Sequence, residues 1–261
     1  MILFPPAKVN LGLNVLHKRD DGYHEIKSCM AEIPLHDVLE ILPSDTFRFQ
    51  QTGLTVDGDL ESNLCVKAYR LIEDRYDVGS VYMHLRKMIP MGAGLGGGSA
   101  DATYALLGLN ELFQLNLDDS TLESLAAELG SDCAFFVKGG VQMSEGRGEV
   151  LSPMDVDLKG YYMKLIYPSL HIGTGEAYGN VHFETDDSGY DTLLQNDFSG
   201  LVNSFEQHAF SKFSELREIK QSLLDEGAFY AAMSGSGSSV FGLFKERPKD
   251  SGEVNVWVMG L

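Results

Sequence analysis

The sequence contains no run approaching the roughly 18 to 20 apolar residues that a helix needs to cross a bilayer, which argues against a membrane bundle. Cysteine is scarce. The three present, Cys29, Cys65 and Cys133, lie far apart and in no CxxC or Cys/His cluster, so neither a disulfide framework nor a structural zinc site is expected. A reducing, cytoplasmic setting follows as the expectation, and the opening residues MILFPPAKVN, with two prolines and no basic leader, carry no mark of export. The seven histidines form no HxxxH or HExxH pair, which leaves a histidine metal site or a serine triad without support. Basic residues are also short. Twenty Lys+Arg against thirty-eight Asp+Glu give a net charge of -18, a field that repels nucleic acid and anionic lipid, so no nucleic acid and no membrane partner is expected.

What is present is ordinary for a globular chain: 44% hydrophobic and 22% charged residues over 261 positions, enough for one large domain or two modest ones. From Lys8 to Val15 apolar and polar residues alternate with the period of a half-buried strand, which puts Lys8 and Asn10 on one face. Asp21-Gly22 breaks that pattern and suggests a hairpin. A helix is predicted from Asn63 with Ser62 as its cap. A strand is expected at Val81 to Lys87, with Tyr82, His84 and Arg86 on its wet face. A second helix should begin near Ser99, and a third should span Ser120 to Leu129 with Gly130 at its end. The Gly/Pro-rich stretch from 139 to 153 predicts a domain boundary near 150. Beyond it, 161 to 167 reads as a strand, 202 to 224 as one or two helices, and 228 to 233, 240 to 244 and 254 to 259 as strands. The acidic stretch 184 to 191 reads as an exposed loop.

The strongest local signal is PMGAGLGGGSADA at 90 to 102, which places five glycines in seven residues between a strand and a helix. Without Cβ atoms several N–H groups can converge on one anion, and the helix start adds the positive end of its dipole, equivalent to about half a charge. A phosphate site is the natural reading, with a flexible surface loop as the bland alternative. It is no Walker loop, because Gly98 and Ser99 are followed by Ala100 with no lysine. Gly92, Gly94 and Gly97 satisfy GxGxxG, but the strand before them alternates and is cut off by Pro90, unlike the doubly buried strand of a dinucleotide fold.

A second small-residue stretch, MSGSGSSVF at 233 to 241, lies between two predicted strands. It could be an ordinary turn or, beside the first loop, a second source of N–H groups for a second phosphorylated ligand. Lys8, Asn10 and Asp132 are the candidate chemistry. Each also has a plain reading: Lys8 as a solvated strand lysine, Asp132 as a turn residue two positions past a helix.

Together these residues resemble the GHMP kinase superfamily, whose members bind ATP on a loop of the form PxxxGLGSSAA. Pro90, Met91, Gly92, Ala93, Gly94, Leu95, Gly96, Gly97, Gly98, Ser99 and Ala100 stand in its places. The segments PPAKVNLGLNV at 5 to 15, RDDGYHEI at 19 to 26, GSDCAFF at 130 to 136, GRGE at 146 to 149 and SGSGSSVF at 234 to 241 narrow the likeness. They resemble the branch that phosphorylates the 2-hydroxyl of a cytidine-diphosphate-linked methylerythritol in the non-mevalonate isoprenoid pathway. The resemblance implies a two-domain α+β fold. A ribosomal-protein-like, nucleotide-binding domain would cover 1–152 and a ferredoxin-like one 153–261. It implies ATP as co-substrate with Mg²⁺, Lys8 and Asp132 as catalytic residues, and Asn63 and Lys87 with the loop at 90 to 100 on the nucleotide. Asn10, Tyr23, His24, Thr174 and Tyr178 would hold the acceptor. Cys133 and Ala134 depart from the usual valine and proline after the aspartate. Asp101 is left between two roles, support of a metal ion or of the helix dipole. A GHMP kinase with another alcohol acceptor and a non-catalytic nucleotide- or RNA-binding module remain the competing readings.

Overall fold

The computed structural model describes residues 1–55, 59–184 and 186–261. In chain order the first half contains β1 (Ile2–Leu3), β2 (Pro6–Lys18), β3 (His24–His36), β4 (Val38–Pro43), β5 (Arg48–Gly53), α1 (Leu64–Arg75), β6 (Val81–Lys87), α2 (Gly97–Leu112), α3 (Asp119–Leu129) and α4 (Phe135–Lys138). The second half contains β7 (Val141–Gly146), β8 (Val150–Pro153), β9 (Tyr162–Ile166), α5 (Thr174–Gly179), α6 (Gly189–Leu193), α7 (Glu206–Lys212), α8 (Ser214–Asp225), β10 (Tyr230–Met233), β11 (Val240–Phe244) and β12 (Val256–Gly260). The class is α+β. No helix among the described residues is long and apolar enough to cross a membrane.

Two compact units result, and neither is a single stretch of chain. The first comprises Met1–Ala7, Leu35–Met91 and Gly96–Gly139; the second comprises Lys8–Pro34, Gly92–Leu95 and Gly140–Leu261. This division differs from a single cut near 150, because β2 and β3 share a sheet with β7 and β8, in the order β2-β3-β7-β8. The β3/β7 pairing is antiparallel, from Ile26 opposite Gly146 to Ala31 opposite Val141.

In the first unit the sheet order is β1-β4-β6-β5, with β5 parallel to β6 and β4 antiparallel to it. Val81, Met83 and Leu85 turn inward from β6 as their period predicts. They pack with Leu39 and Ile41 of β4, Tyr69 and Ile72 of α1, Leu106 and Leu109 of α2 and Leu125 of α3. The cap of α1 is Asn63 rather than Ser62: its extended backbone lets Oδ1 accept the Cys65 N–H at 2.9 Å, while Ser62 closes a short 3-10 turn capped by Asp59. Likewise α2 starts at Gly97, two residues earlier than expected, and α3 is capped by Asp118.

The second unit adds the antiparallel sheet β10-β11-β9-β12, whose inner residues Met233 and Val240 pack with Leu216 and Leu223 of α8. Strand β2 corrects the expectation of a half-wet face, since Lys8, Asn10 and Asn14 are 4%, 3% and 2% exposed. Burial is tolerated because their polar atoms find partners; Asn14, for example, donates Nδ2 to Asp186 O at 2.9 Å. The stretch 184 to 191 also differs from the expected loop. Thr185 lies outside the described residues, but α6 begins at Gly189 and Tyr190 is buried, its hydroxyl donating to Lys27 O at 2.8 Å. Deleting that hydroxyl in Tyr190→Phe is expected to lower the unfolding free energy by about 1 kcal/mol in urea titration, the usual net worth of such a bond.

Candidate functional site

The glycine-rich loop is held from its carbonyl side. Within the second unit Ala93 O accepts the Ser239 N–H at 3.1 Å, Gly94 O accepts Ser234 Oγ at 2.8 Å, and Leu95 O accepts the Lys8 N–H at 2.9 Å. Three successive carbonyls turned into the protein leave the amide side of the loop for an anion. Gly92, Gly94 and Gly96 all have positive φ, of 63°, 77° and 68°. At Gly94 the requirement is double, because a Cβ there would collide with the Ser234 carbonyl.

The second Gly/Ser loop therefore braces the first. Three of its amides are engaged: Ser234 N–H donates to Ser239 O, Gly237 N–H to Ser234 O and Ser239 N–H to Ala93 O. Asn203, which no motif marked, fixes this brace by donating Nδ2 to Met233 O at 2.6 Å and to Gly235 O at 2.9 Å.

Also in the second unit, Lys8 donates Nζ to Asn10 Oδ1 at 2.7 Å, Asn10 donates Nδ2 to Ser28 Oγ at 2.8 Å, and Ser28 donates to Gly12 O at 2.7 Å. These bonds orient the ammonium of Lys8. His24 and Tyr178 meet although 154 residues separate them, their rings stacked at 4.9 Å and 25°. Burial and the Lys18 charge hold the His24 imidazole below its usual pKa, so a neutral ring is favoured near pH 7. Tyr23 is 58% exposed, with the Arg147 guanidinium 4.9 Å from its ring centre. Thr174 is the exposed first residue of α5.

In the first unit, α2 starts at Gly97, so the amides of 97 to 99 form its positive end. Beneath it Lys87 is 1% exposed and bonds both Asp101 Oδ2, at 2.8 Å, and Asp37 Oδ2. Asp37 also takes the N–H groups of Met88 and Ile89 on its other oxygen. Lys87 is thus committed to two carboxylates, and Gly97 is small because a Cβ would stand 2.8 Å from its Nζ. Asp101 is the fifth residue of α2, past the first turn, so its carboxyl serves Lys87 rather than the helix amides. Burial drives the Asp101 pKa up to about 7, with Lys87 opposing and Asp37 assisting. The Lys87 ammonium, opposed by burial, is held above its usual range by the same two carboxylates.

Beside this cluster lies a cavity of about 400 Å³, walled by Phe49, Leu60, Leu64, Leu85 and Met91, with Gln51, Asn63, Gly98 and Asp101 as polar groups. Apolar walls and a few polar groups suit a flat heteroaromatic ring. Asn63 reaches it as the α1 cap, its Nδ2 3.4 Å from Gln51 Oε1. Asp132 is half-buried in the turn after α3. Thr103 Oγ1 ties that turn to α2, lying 2.7 Å from Cys133 O and 3.0 Å from Ser99 O, and Cys133 N–H donates to Gly130 O. With this bracing the unusual Cys133 and Ala134 leave the Asp132 turn well defined. Asp37, Ser28 and Asn203 were missed by sequence reasoning; only an aspartate opening the apolar run at 38 to 42 hinted at the first.

Two family models match the chain: GHMP kinases N terminal domain over residues 63–140 and GHMP kinases C terminal over 190–254. The chain is 45% identical over 257 residues to a 4-diphosphocytidyl-2-C-methyl-D-erythritol kinase of Bacteroides fragilis, covering 95% of this chain and 94% of that protein. It is 43% identical over 254 residues to the kinase of the same name from Cytophaga hutchinsonii, at 95% and 94% coverage. Among solved structures, a 4-(cytidine 5'-diphospho)-2C-methyl-D-erythritol kinase superposes with TM-score 0.80 at 35% identity, over 93% of this chain and 90% of that one. A homoserine kinase from Cytophaga hutchinsonii matches with TM-score 0.71 at 21% identity, over 94% and 85%, a likeness of fold alone.

Because its usual pKa is 3.8, Asp101 binds more protons in the folded than in the unfolded state between about pH 4 and pH 7. Its stabilising contribution is therefore full below that window and declines as pH rises through it. The gain in melting temperature from Asp101→Asn is expected to be larger at pH 8 than at pH 5; the reverse order would show that Lys87 holds Asp101 as an ion.

Proposed function

Since the chain belongs to the GHMP kinase family, we propose that it transfers the γ-phosphoryl group of ATP to the 2-hydroxyl of 4-diphosphocytidyl-2-C-methyl-D-erythritol, in the non-mevalonate isoprenoid pathway. One observation carries this acceptor over another alcohol: identity is 45% across nearly the whole chain to a kinase of that name and drops to 21% for a homoserine kinase of similar fold. The stacked His24 and Tyr178, with Tyr23 exposed nearby in sequence, supply the aromatic surface that a cytosine ring needs.

Phosphoryl transfer leaves little covalent work to the protein, so positioning and charge neutralisation are the demands. In the proposed mechanism the loop from Pro90 to Ala100 receives the triphosphate through backbone amides and the start of α2, and Asn63 faces the base. Lys87 acts indirectly, by fixing Asp101 and Asp37 beneath that helix. Lys8, oriented by Asn10 and Ser28, neutralises charge on the transferring group, and Asp132 accepts the proton of the acceptor hydroxyl. Asn10, Tyr23, His24, Thr174 and Tyr178 hold the cytidine-linked acceptor. The nucleotide part lies in residues 1–152 and the C-terminal part in 153–261, a functional division that cuts across the compact units. Mg²⁺ would supply charge neutralisation on the phosphates. Among the described residues no three His, Cys, Asp or Glu side chains converge on one point, so the ion of this proposal arrives with ATP and no residue is assigned to it. Three buried free cysteines suit the cytoplasm as its compartment.

The decisive experiment is transfer of labelled phosphate from ATP to the cytidine-linked methylerythritol, with homoserine and mevalonate as competing acceptors and with and without Mg²⁺. Preference for either competitor would sink the acceptor assignment. Asp132→Ala is expected to lower kcat by about 10² to 10⁴ with nucleotide Kd little changed, the span typical of proton-transfer groups. Tyr178→Ala should raise KM for the cytidine-linked acceptor by the equivalent of about 1 to 3 kcal/mol, the worth of one base-on-aromatic stack; an unchanged KM places the cytosine elsewhere.

A further inference from the structure

Asn203 lies outside every segment assigned to a ligand, yet its side chain is buried and committed in both directions. It is 5% exposed; Nδ2 donates to Met233 O at 2.6 Å and to Gly235 O at 2.9 Å, and Oδ1 accepts the Phe205 N–H at 2.9 Å. The two carbonyls stand on either side of Ser234, so both amide hydrogens hold that one residue. The Asn203 segment is itself anchored to β2, where the Leu13 N–H donates to Val202 O at 2.7 Å and the Ser204 N–H to Leu13 O at 2.8 Å. Glu206 adds a further hold, its Oε1 accepting the Met233 N–H at 2.8 Å.

Ser234, so placed, donates its hydroxyl to Gly94 O at 2.8 Å, while the Ser239 N–H donates to Ala93 O at 3.1 Å. In a trans peptide the C=O and the N–H of the next residue point in opposite directions. Fixing the Ala93 carbonyl therefore aims the Gly94 N–H the other way, and fixing the Gly94 carbonyl does the same for the Leu95 N–H. Neither of those N–H groups donates a hydrogen bond among the described residues. A Cβ on Gly94 would stand 2.0 Å from Ser234 O, and one on Gly235 would stand 3.3 Å from Gly94 Cα, so the two loops meet backbone to backbone. Such a contact has no long side chain to absorb a shift, and a displacement at 234 to 235 passes directly to residue 94.

We propose that Asn203 is a positioning residue for nucleotide binding: it sets Ser234, Ser234 sets the Gly94 peptide, and the Gly94 and Leu95 amides are thereby aimed at the phosphates before the ligand arrives. The inference rests on the reading of the loop from Pro90 to Ala100 as the one that receives the triphosphate. Donors already aimed bind more tightly than the same donors free to turn, because their ordering is completed during folding. Losing the Asn203 side chain therefore weakens nucleotide binding although no group that touches the nucleotide has been removed.

The test is calorimetric titration of the full chain with ADP and Mg²⁺, on variants first shown by their melting curves to be folded. Asn203→Ala and Ser234→Ala are each expected to raise the ADP Kd by about three- to tenfold, the scale of one lost hydrogen bond expressed as affinity. Combined, they should cost no more than about twofold beyond either alone, because both break the same relay. Tyr190→Phe, which removes a buried hydroxyl elsewhere in the second unit, is the control for lost stability and should leave the ADP Kd unchanged. In the transfer assay Ser234→Ala should raise KM for ATP while kcat and the acceptor KM stay within about twofold of wild type. An unchanged Kd in Asn203→Ala, fully multiplied losses in the double variant, or an equal loss in Tyr190→Phe would overturn the proposal. If Asn203→Ala does not fold, Ser234→Ala decides alone, and an unchanged ADP Kd there overturns it. Wild-type protein that fails to bind ADP would instead remove the nucleotide reading on which the inference rests.

Discussion

The buried ion cluster of Lys87, Asp37 and Asp101 is the constraint around which the first unit is arranged. Taking charged groups out of water costs several kcal/mol per ion, and the loss is offset only where geometry and additional donors are complete. Here Asp37 binds both the ammonium and the backbone after β6, while Asp101 brings α2 down onto the same ammonium. Strand, loop and helix are thereby tied at one point. The tie also accounts for a glycine that anion binding alone would not require: Gly97 must lack a Cβ for Lys87 to fit. A glycine run read as a phosphate cradle is therefore partly a packing device.

An acidic chain that handles polyanions has to attract phosphate over short distances, since its overall field works against capture. Backbone amides do this at no cost in net charge, provided the loop is held open from its other side. In the second unit that holding uses the loop's carbonyls: the Ser239 N–H and the Ser234 hydroxyl occupy the carbonyls of Ala93 and Gly94, and the Asn203 side chain fixes the 234 to 239 loop in turn. Lys8 and Lys87, the cations that a simple electrostatic account would place on the surface, are both buried and oriented by specific acceptors. Their charge acts locally because it is screened from water, and the surface can remain acidic.

Legibility in the sequence followed the range of the interaction. The alternation of Val81, Met83 and Leu85, the stripe of Leu106 and Leu109 and the glycine loop were readable because residues a few positions apart set them. Helix starts were missed by one or two residues, with Asn63 and not Ser62 capping α1 and α2 beginning at Gly97 and not Ser99, because backbone angles decide between adjacent candidates. The burial of Lys8 and Asn10 was not readable, since alternation on β2 cannot reveal that a partner such as Ser28 waits on the next strand. Asp101 was recognised as unexplained, but its role depended on Asp37, 64 residues away and in no motif.

By itself, then, the sequence determined the kinase family, the α+β class and the glycine-rich loop between a strand and a helix, because these are written in short segments whose composition admits few alternatives. Tertiary structure alone decided that the second Gly/Ser loop braces the first, that Lys87 is shared between Asp37 and Asp101, and that Asp101 is buried beneath α2. Each of these depends on groups distant in the chain meeting away from water, and a hydrogen bond or a charge gains its weight only from the environment that the fold places around it.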